Sequence, residues 1–230
     1  MGVAKYSIRG TDYIGAYANA CDKYVIAGAG LTQKVKRYLD VMLGARIVEL
    51  SVNGSDMAGI YARGNSNGIV VSNIARDYEI KGMKKYLVEG ENLCVLKSNM
   101  NAVGNNILAN DRIALINPDY DSESARQIGD ALGVEAVSFE TGRFKTVGAN
   151  NILTNKGLAM NNRSSDEEVA EMERIVGMKP VMTTINTGGL GIGLGAISNG
   201  FGLLVGDSTT GFELARMMDA LDIDDNTVKE

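Results

Sequence analysis

The chain has 230 residues, 45% of them apolar and 22% charged, with a formal net charge of −5 and no histidine. That balance supplies a globular core, argues against a domain that grips nucleic acid broadly through its phosphates, and removes the commonest acid–base group and metal ligand. No run approaches the roughly 18 consecutive apolar residues of a membrane span, and the first eleven residues lack an apolar signal core, so a soluble, cytoplasmic protein is expected.

Five glycines organise the chain: Gly15, Gly59, Gly104, Gly148 and Gly193, at steps of 44, 45, 44 and 45. A polar series, Asp22, Asn67, Asp111, Asn155 and Asn199, runs beside them and reads as turns. In chain order, a strand at 4–8 comes first. Gly15 follows in YIGAYANA, then an apolar strand at 24–26. Next is a helix with Val35, Tyr38, Leu39 and Met42 on one face, stopped by Gly44. A strand at 46–52 ends the first unit. The second unit has Gly59, a strand at 69–71, a helix carrying Ile80, Met83 and Leu87 but weakened by Gly82, and a strand at 93–96.

The third unit has Gly104, a strand at 113–116, a helix with Ala125, Ile128 and Leu132 ending at Gly133, and a strand at 136–139. The fourth has Gly148, a strand at 158–160, a helix opened by the capping box Ser165–Glu168 and ended by Gly177, and a strand at 181–185. The fifth has Gly193, a strand at 203–205 and a helix opened by Thr210 and Glu213. It lacks a last strand, and the strand at 4–8 can supply it, joining the two ends. Each glycine is expected on a strand lining a common axis, where five backbones crowd. One domain over 1–224 and a short tail at 225–230 follow.

This α/β arrangement of five pseudo-symmetric repeats around a central axis resembles the pentein, or α/β-propeller, fold. The strings YIGAYANACDKYVI, AGIYARGNSNGIVVSN, AVGNNILANDRIALINPDYD, VGANNILTNKGLAMN and GDSTTGFELARMMDALD resemble the translation initiation factor 6 family over residues 3–223. The resemblance implies a monomer that binds the large ribosomal subunit on its joining face and blocks the small subunit. It would sit against a ribosomal protein near the sarcin–ricin loop, with adjacent rRNA, and leave through factors of a GTPase pathway. Eukaryotic members carry a longer tail with phosphorylation sites; the end at Glu230 suits an archaeal-type member.

The pentein fold also hosts guanidino-modifying enzymes that use Cys, His and acidic residues. Here there is no histidine, and Cys21 and Cys94 lie in the first two units without a CxxC pair, so they read as reduced, small apolar residues and no enzyme is expected. No cofactor or metal is expected either. Asp219, Asp222, Asp224 and Asp225 lack EF-hand spacing. The glycine-rich run at 188–195 lacks a phosphate-loop lysine and is read as the fifth axial copy, leading into a strand.

Residues that differ from copy to copy after each glycine are the docking candidates: Tyr17 and Asn19, Tyr61, Arg63 and Asn65, Asn105 and Asn106, Asn150 and Asn151. The asparagines read either as a structural ladder bonding turns or as a polar docking ring. The resemblance places Asn105 at the subunit-binding surface. Arg63 is singled out because its fork can hold a carboxylate or phosphate. Lys34, Lys36 and Arg37, with Lys81, Lys84 and Lys85, form a basic surface that either faces solvent or touches rRNA.

Overall fold

The computed structural model describes residues 2–224 and divides the repeat into five three-stranded sheets. The expected tail at 225–230, and Asp225 with it, lies outside the described residues. Each sheet is an antiparallel hairpin followed by a helix and a strand parallel to the hairpin's second arm. In the first sheet Ala18–Ala20 pairs with Tyr24–Gly28, the helix Gln33–Leu43 follows, and Arg46–Leu50 returns in parallel. The fifth sheet is completed by Val3–Lys5, which lies parallel to Gly202–Val205, so the N-terminus does finish the last unit.

The helices begin and end where their caps dictate. Thr32, Asp121, Ser165 and Thr210 each accept a backbone N–H in the first turn. Gly44, Gly133 and Gly177 end three of them in the left-handed conformation. The second helix, Asp77–Lys84, is shorter, and Leu87 falls beyond its end. Helices wedge between neighbouring sheets. Leu39, Met42 and Leu43 of the first helix pack with Val25 and Ala27 of the first sheet and with Ile197 and Leu204 of the fifth.

The repeated glycines sit elsewhere than expected. They lie not on strands but on single helical turns that precede them: Ile14–Ala16, Ala58–Tyr61, Val103–Asn106, Val147–Asn150 and Ile192–Gly195. The glycine-rich run therefore also passes through a helical turn before its strand. One turn is too short to leave a periodic trace in sequence. Each turn is entered through a residue of nearly identical backbone: Tyr13, Met57, Ala102, Thr146 and Gly191, with φ from −84° to −79° and ψ from 57° to 66°.

The reason for glycine is close approach. A Cβ on Gly59 would stand 1.9 Å from the Gly15 oxygen, one on Gly104 1.9 Å from the Gly59 oxygen, and one on Gly148 2.4 Å from the Gly104 oxygen. One on Gly193 would stand 2.0 Å from the Gly148 oxygen, and one on Gly15 2.1 Å from the Gly193 oxygen. The contacts thus run from each turn to the next and from the last to the first.

The polar turn series is also one residue out of register in two copies. The equivalent hairpin positions are Asp22, Ser66, Asp111, Asn155 and Gly200, not Asn67 and Asn199. They bond across the repeats: Ser66 N and Oγ donate to the Asp111 carboxylate at 2.7 and 2.8 Å, and Asp111 N donates to Asn155 Oδ1 at 3.0 Å. Asn155 Nδ2 and Gly200 N donate to Asp22 at 2.8 and 2.7 Å.

A second repeated device clasps the loops that lead into the glycine turns. Buried Glu213 accepts from Thr184 Oγ1 at 2.7 Å, Gly188 N at 2.8 Å, Thr187 N at 3.1 Å and Thr210 N at 2.8 Å. Glu79 does the same for Ser51, Asn53, Gly54 and Arg76. Burial opposes ionisation of Glu213, but these donors outweigh it and hold its pKa down to about 2.

Two predictions follow from these contacts. Gly104→Ala should cost more than ~4 kcal/mol, whereas Gly82→Ala, where a Cβ meets nothing within 4 Å, should stabilise by about 0.5–1 kcal/mol; thermal unfolding of the two variants checks both. The second concerns Glu213. Its folded pKa lies below the unfolded value, so its contribution is present above pH ~4.5 and is lost as pH falls toward ~2, with a magnitude on the order of 2–3 kcal/mol. Glu213→Gln should therefore be less stable than the parent at pH 6, and urea unfolding should show the gap shrinking by pH 3.

Candidate functional site

The glycine turns present one set of equivalent side chains immediately after the glycine: Ala16, Ile60, Asn105, Ala149 and Leu194. Ala16 and Ala149 are buried, while Ile60, Asn105 and Leu194 keep accessible surface. The entry residues add two large exposed side chains, Tyr13 at 54% and Met57 at 39%. Accessible apolar side chains thus stand beside several of the glycines, with Asn105 as the amide among the positions that follow them, while the loops leading into the turns add exposed Arg9, Asn53, Asn99, Arg143 and Lys145. Among the described residues the Asn105 side chain makes no hydrogen bond, while its backbone N–H donates to Ala102 O at 3.0 Å. Tyr13 and Met57 escaped the sequence reading; their signal was a large apolar residue two places before the repeated glycine.

The other candidates do not join Asn105 in an exposed ring. Asn65 is fully buried and its Nδ2 donates to Asn110 O at 2.9 Å and Leu132 O at 2.8 Å. Asn106 donates to Ala102 O and accepts from Asn117 at 2.8 Å. Asn150 donates to Thr146 O at 2.9 Å. Asn151 donates to Val147 O at 2.8 Å and Thr141 Oγ1 at 2.9 Å. Asn19 donates to Ala62 O at 2.8 Å. Of the two readings left open by the sequence, these amides take the ladder. Tyr17 lies beneath Arg9 at 6.0 Å, and Tyr61 packs partly into the core of the second unit.

Arg63 is an interior group rather than a surface fork. Its Nη2 donates to Gly104 O at 3.0 Å and Gly148 O at 3.2 Å, carbonyls of the third and fourth glycine turns. Burial lowers its pKa to about 10. A side chain so placed ties three repeats together. Lys36 likewise leaves the expected basic surface: it is buried, and its Nζ donates to Ala29 O at 2.8 Å and pairs with Glu49 at 2.7 Å. Lys34, Arg37, Lys81, Lys84 and Lys85 remain exposed.

The cysteines are poorly set for nucleophilic chemistry. Burial pushes the Cys21 thiol up to about 11, with Asp111 and Asp22 adding to the effect. Burial raises Cys94 too, followed by Asp130. Both thiols stay protonated near neutrality, the reverse of an activated thiolate. Among the described residues no group of three or more Cys, Asp or Glu side chains is disposed to hold a metal ion, and no helix is long and apolar enough to cross a membrane.

Comparison with known proteins adds a family. The model of the eIF-6 family matches residues 3–220. A protein of Methanoculleus marisnigri named translation initiation factor 6 is 36% identical over 210 residues, covering 91% of this chain and 94% of that protein. Proteins of the same name from Saccharolobus islandicus and Picrophilus torridus are 35% and 31% identical, covering 96% and 95% of this chain and 99% of each relative. Among solved structures, a dimethylarginine dimethylaminohydrolase adduct with S-methyl-L-thiocitrulline superposes with a TM-score of 0.49 at 11% identity, over 74% of this chain and 68% of that one. A likeness of that size carries no argument about activity.

Proposed function

Because the chain belongs to the eIF-6 family, we propose that it is a translation initiation factor that binds the large ribosomal subunit on its joining face and keeps the small subunit from associating prematurely. The observation that carries this reading is Asn105. It is the amide of the series that follows the glycines, it has no internal partner among the described residues, and its turn packs beside the one that carries Ile60 and is entered through Met57. Exposed apolar side chains beside an unspent hydrogen-bonding group have the composition of a protein-docking surface.

The partner surface is a ribosomal protein near the sarcin–ricin loop, with adjacent rRNA at the rim. Release runs through factors of the GTPase pathway. The protein acts as a soluble cytoplasmic monomer, one domain over 1–224, built as a pentein α/β-propeller closed about a pseudo-fivefold axis. The end-to-end cycle of glycine contacts supports that closure. It acts by occupying space and not by catalysis. The relatives' names as translation factors and the protonated thiols both favour this.

Sucrose-gradient analysis of purified archaeal subunits tests the reading. Added protein should lower the 70S peak and sediment with the 50S particle. Asn105→Asp combined with Met57→Glu should restore 70S formation and leave the melting temperature nearly unchanged. A 70S peak unaffected by the parent protein contradicts the reading.

A further inference from the structure

The first long helix carries a second surface that shares no residue with the glycine face. Lys34, Arg37, Tyr38 and Val41 recur at i, i+3, i+4 and i+7 and so line one side of Gln33–Leu43. Tyr6, fixed by its N–H to Val205 O at 2.8 Å, lays its ring on Tyr38 with centroids 4.6 Å apart and planes inclined by 28°. These five residues bound an open groove of about 400 Å³.

Its charge is unusual for a chain of net charge −5. Both charged residues lining the groove are cations, and among the described residues neither forms an ion pair. Elsewhere on the helices Arg126 pairs with Glu123 and Asp130, Arg174 with Glu171, and Lys36 with Glu49. A stacked aromatic platform beside two unneutralised cations is the chemistry that holds unpaired nucleotides, the rings taking a base and the cations a phosphate. The acidic neighbours are Asp40 on the same helix and Asp207, whose charge acts on the Tyr38 hydroxyl. They disfavour a broad polyanionic footprint such as a duplex. They leave room for a ligand bringing a base and one or two phosphates.

We propose that the groove formed by Tyr6, Tyr38, Lys34 and Arg37 binds a short single-stranded RNA segment by stacking and phosphate contact. This stands apart from the docking role of the glycine face and can fail without it, because its test contains no ribosome.

The test is fluorescence anisotropy of the intact protein with a labelled unstructured oligoribonucleotide of about eight nucleotides, within the usual span of a stacking groove. Binding should weaken roughly tenfold in Tyr38→Leu, which keeps the apolar packing but removes the ring. It should weaken at least as much in Lys34→Glu combined with Arg37→Glu, whose side chains are exposed. The same charge change at Lys81 and Lys84 should leave it intact. The parent's affinity should fall with salt at a log–log slope of about −1.4, two single-strand phosphates' worth. Absence of binding, binding that survives both groove variants, or displacement by an acidic peptide as effectively as by unlabelled RNA overturns the proposal.

Discussion

The architecture depends on five places where one backbone meets another with no room for a side-chain carbon. At each glycine turn a carbonyl oxygen of the neighbouring turn occupies the position of the missing Cβ, 1.9 to 2.4 Å away. Glycine brings no side-chain packing of its own and costs conformational entropy on folding. It is used here because contact between turns sets the distance between sheets. That distance in turn fixes how far each long helix can wedge between its own sheet and the preceding one. The Cβ-free contact is therefore upstream of the apolar clusters that supply most of the burial.

The same crowding explains why most polar candidates are not available to a partner. Once the turns touch, the inner strands lie close enough for amides to cross between repeats. Asn19 reaches Ala62, Asn65 reaches Asn110, and Asn110 reaches Thr154 O at 3.0 Å. Arg63 spans further, to two glycine-turn carbonyls at once. Buried polar groups of this kind stabilise when satisfied and are costly when not, which ties them to the scaffold. Side chains released from this duty are those pointing outward from the turns: Asn105, Ile60 and Leu194, with Tyr13 and Met57 at the entries.

Much of this was legible in the sequence, for reasons that can be named. Amphipathic helices announce themselves over eleven residues, and Ser165, Thr210 and the stop glycines mark their ends. The swap of the first strand into the fifth sheet followed from counting strands, although the strand expected at 4–8 runs over Val3–Lys5. The single-turn helices were invisible because Ile14–Ala16 or Ala58–Tyr61 is shorter than the period that would reveal it. The turn register slipped because Asn67 and Asn199 resemble Asp22 more than the true equivalents Ser66 and Gly200 do. Arg63 was misread because composition records its charge and not the direction of its side chain. The glycine face was half legible: Asn105 follows its glycine, where side chains differ from copy to copy, whereas Tyr13 and Met57 precede theirs, within the repeated strings but ahead of the positions that pointed to docking.

The central claim is that the surface around the glycine turns is the one covered by the large ribosomal subunit. Hydrogen–deuterium exchange of the protein, free and bound to purified 50S particles, reads this directly. The account predicts new protection in the segments about 9–16, 53–60, 98–105, 142–149 and 186–194, with the hairpin turns at 21–23, 66–67, 110–112, 154–157 and 199–201 unchanged. Protection confined to those hairpin turns, with the glycine face still exchanging as in the free protein, would contradict it.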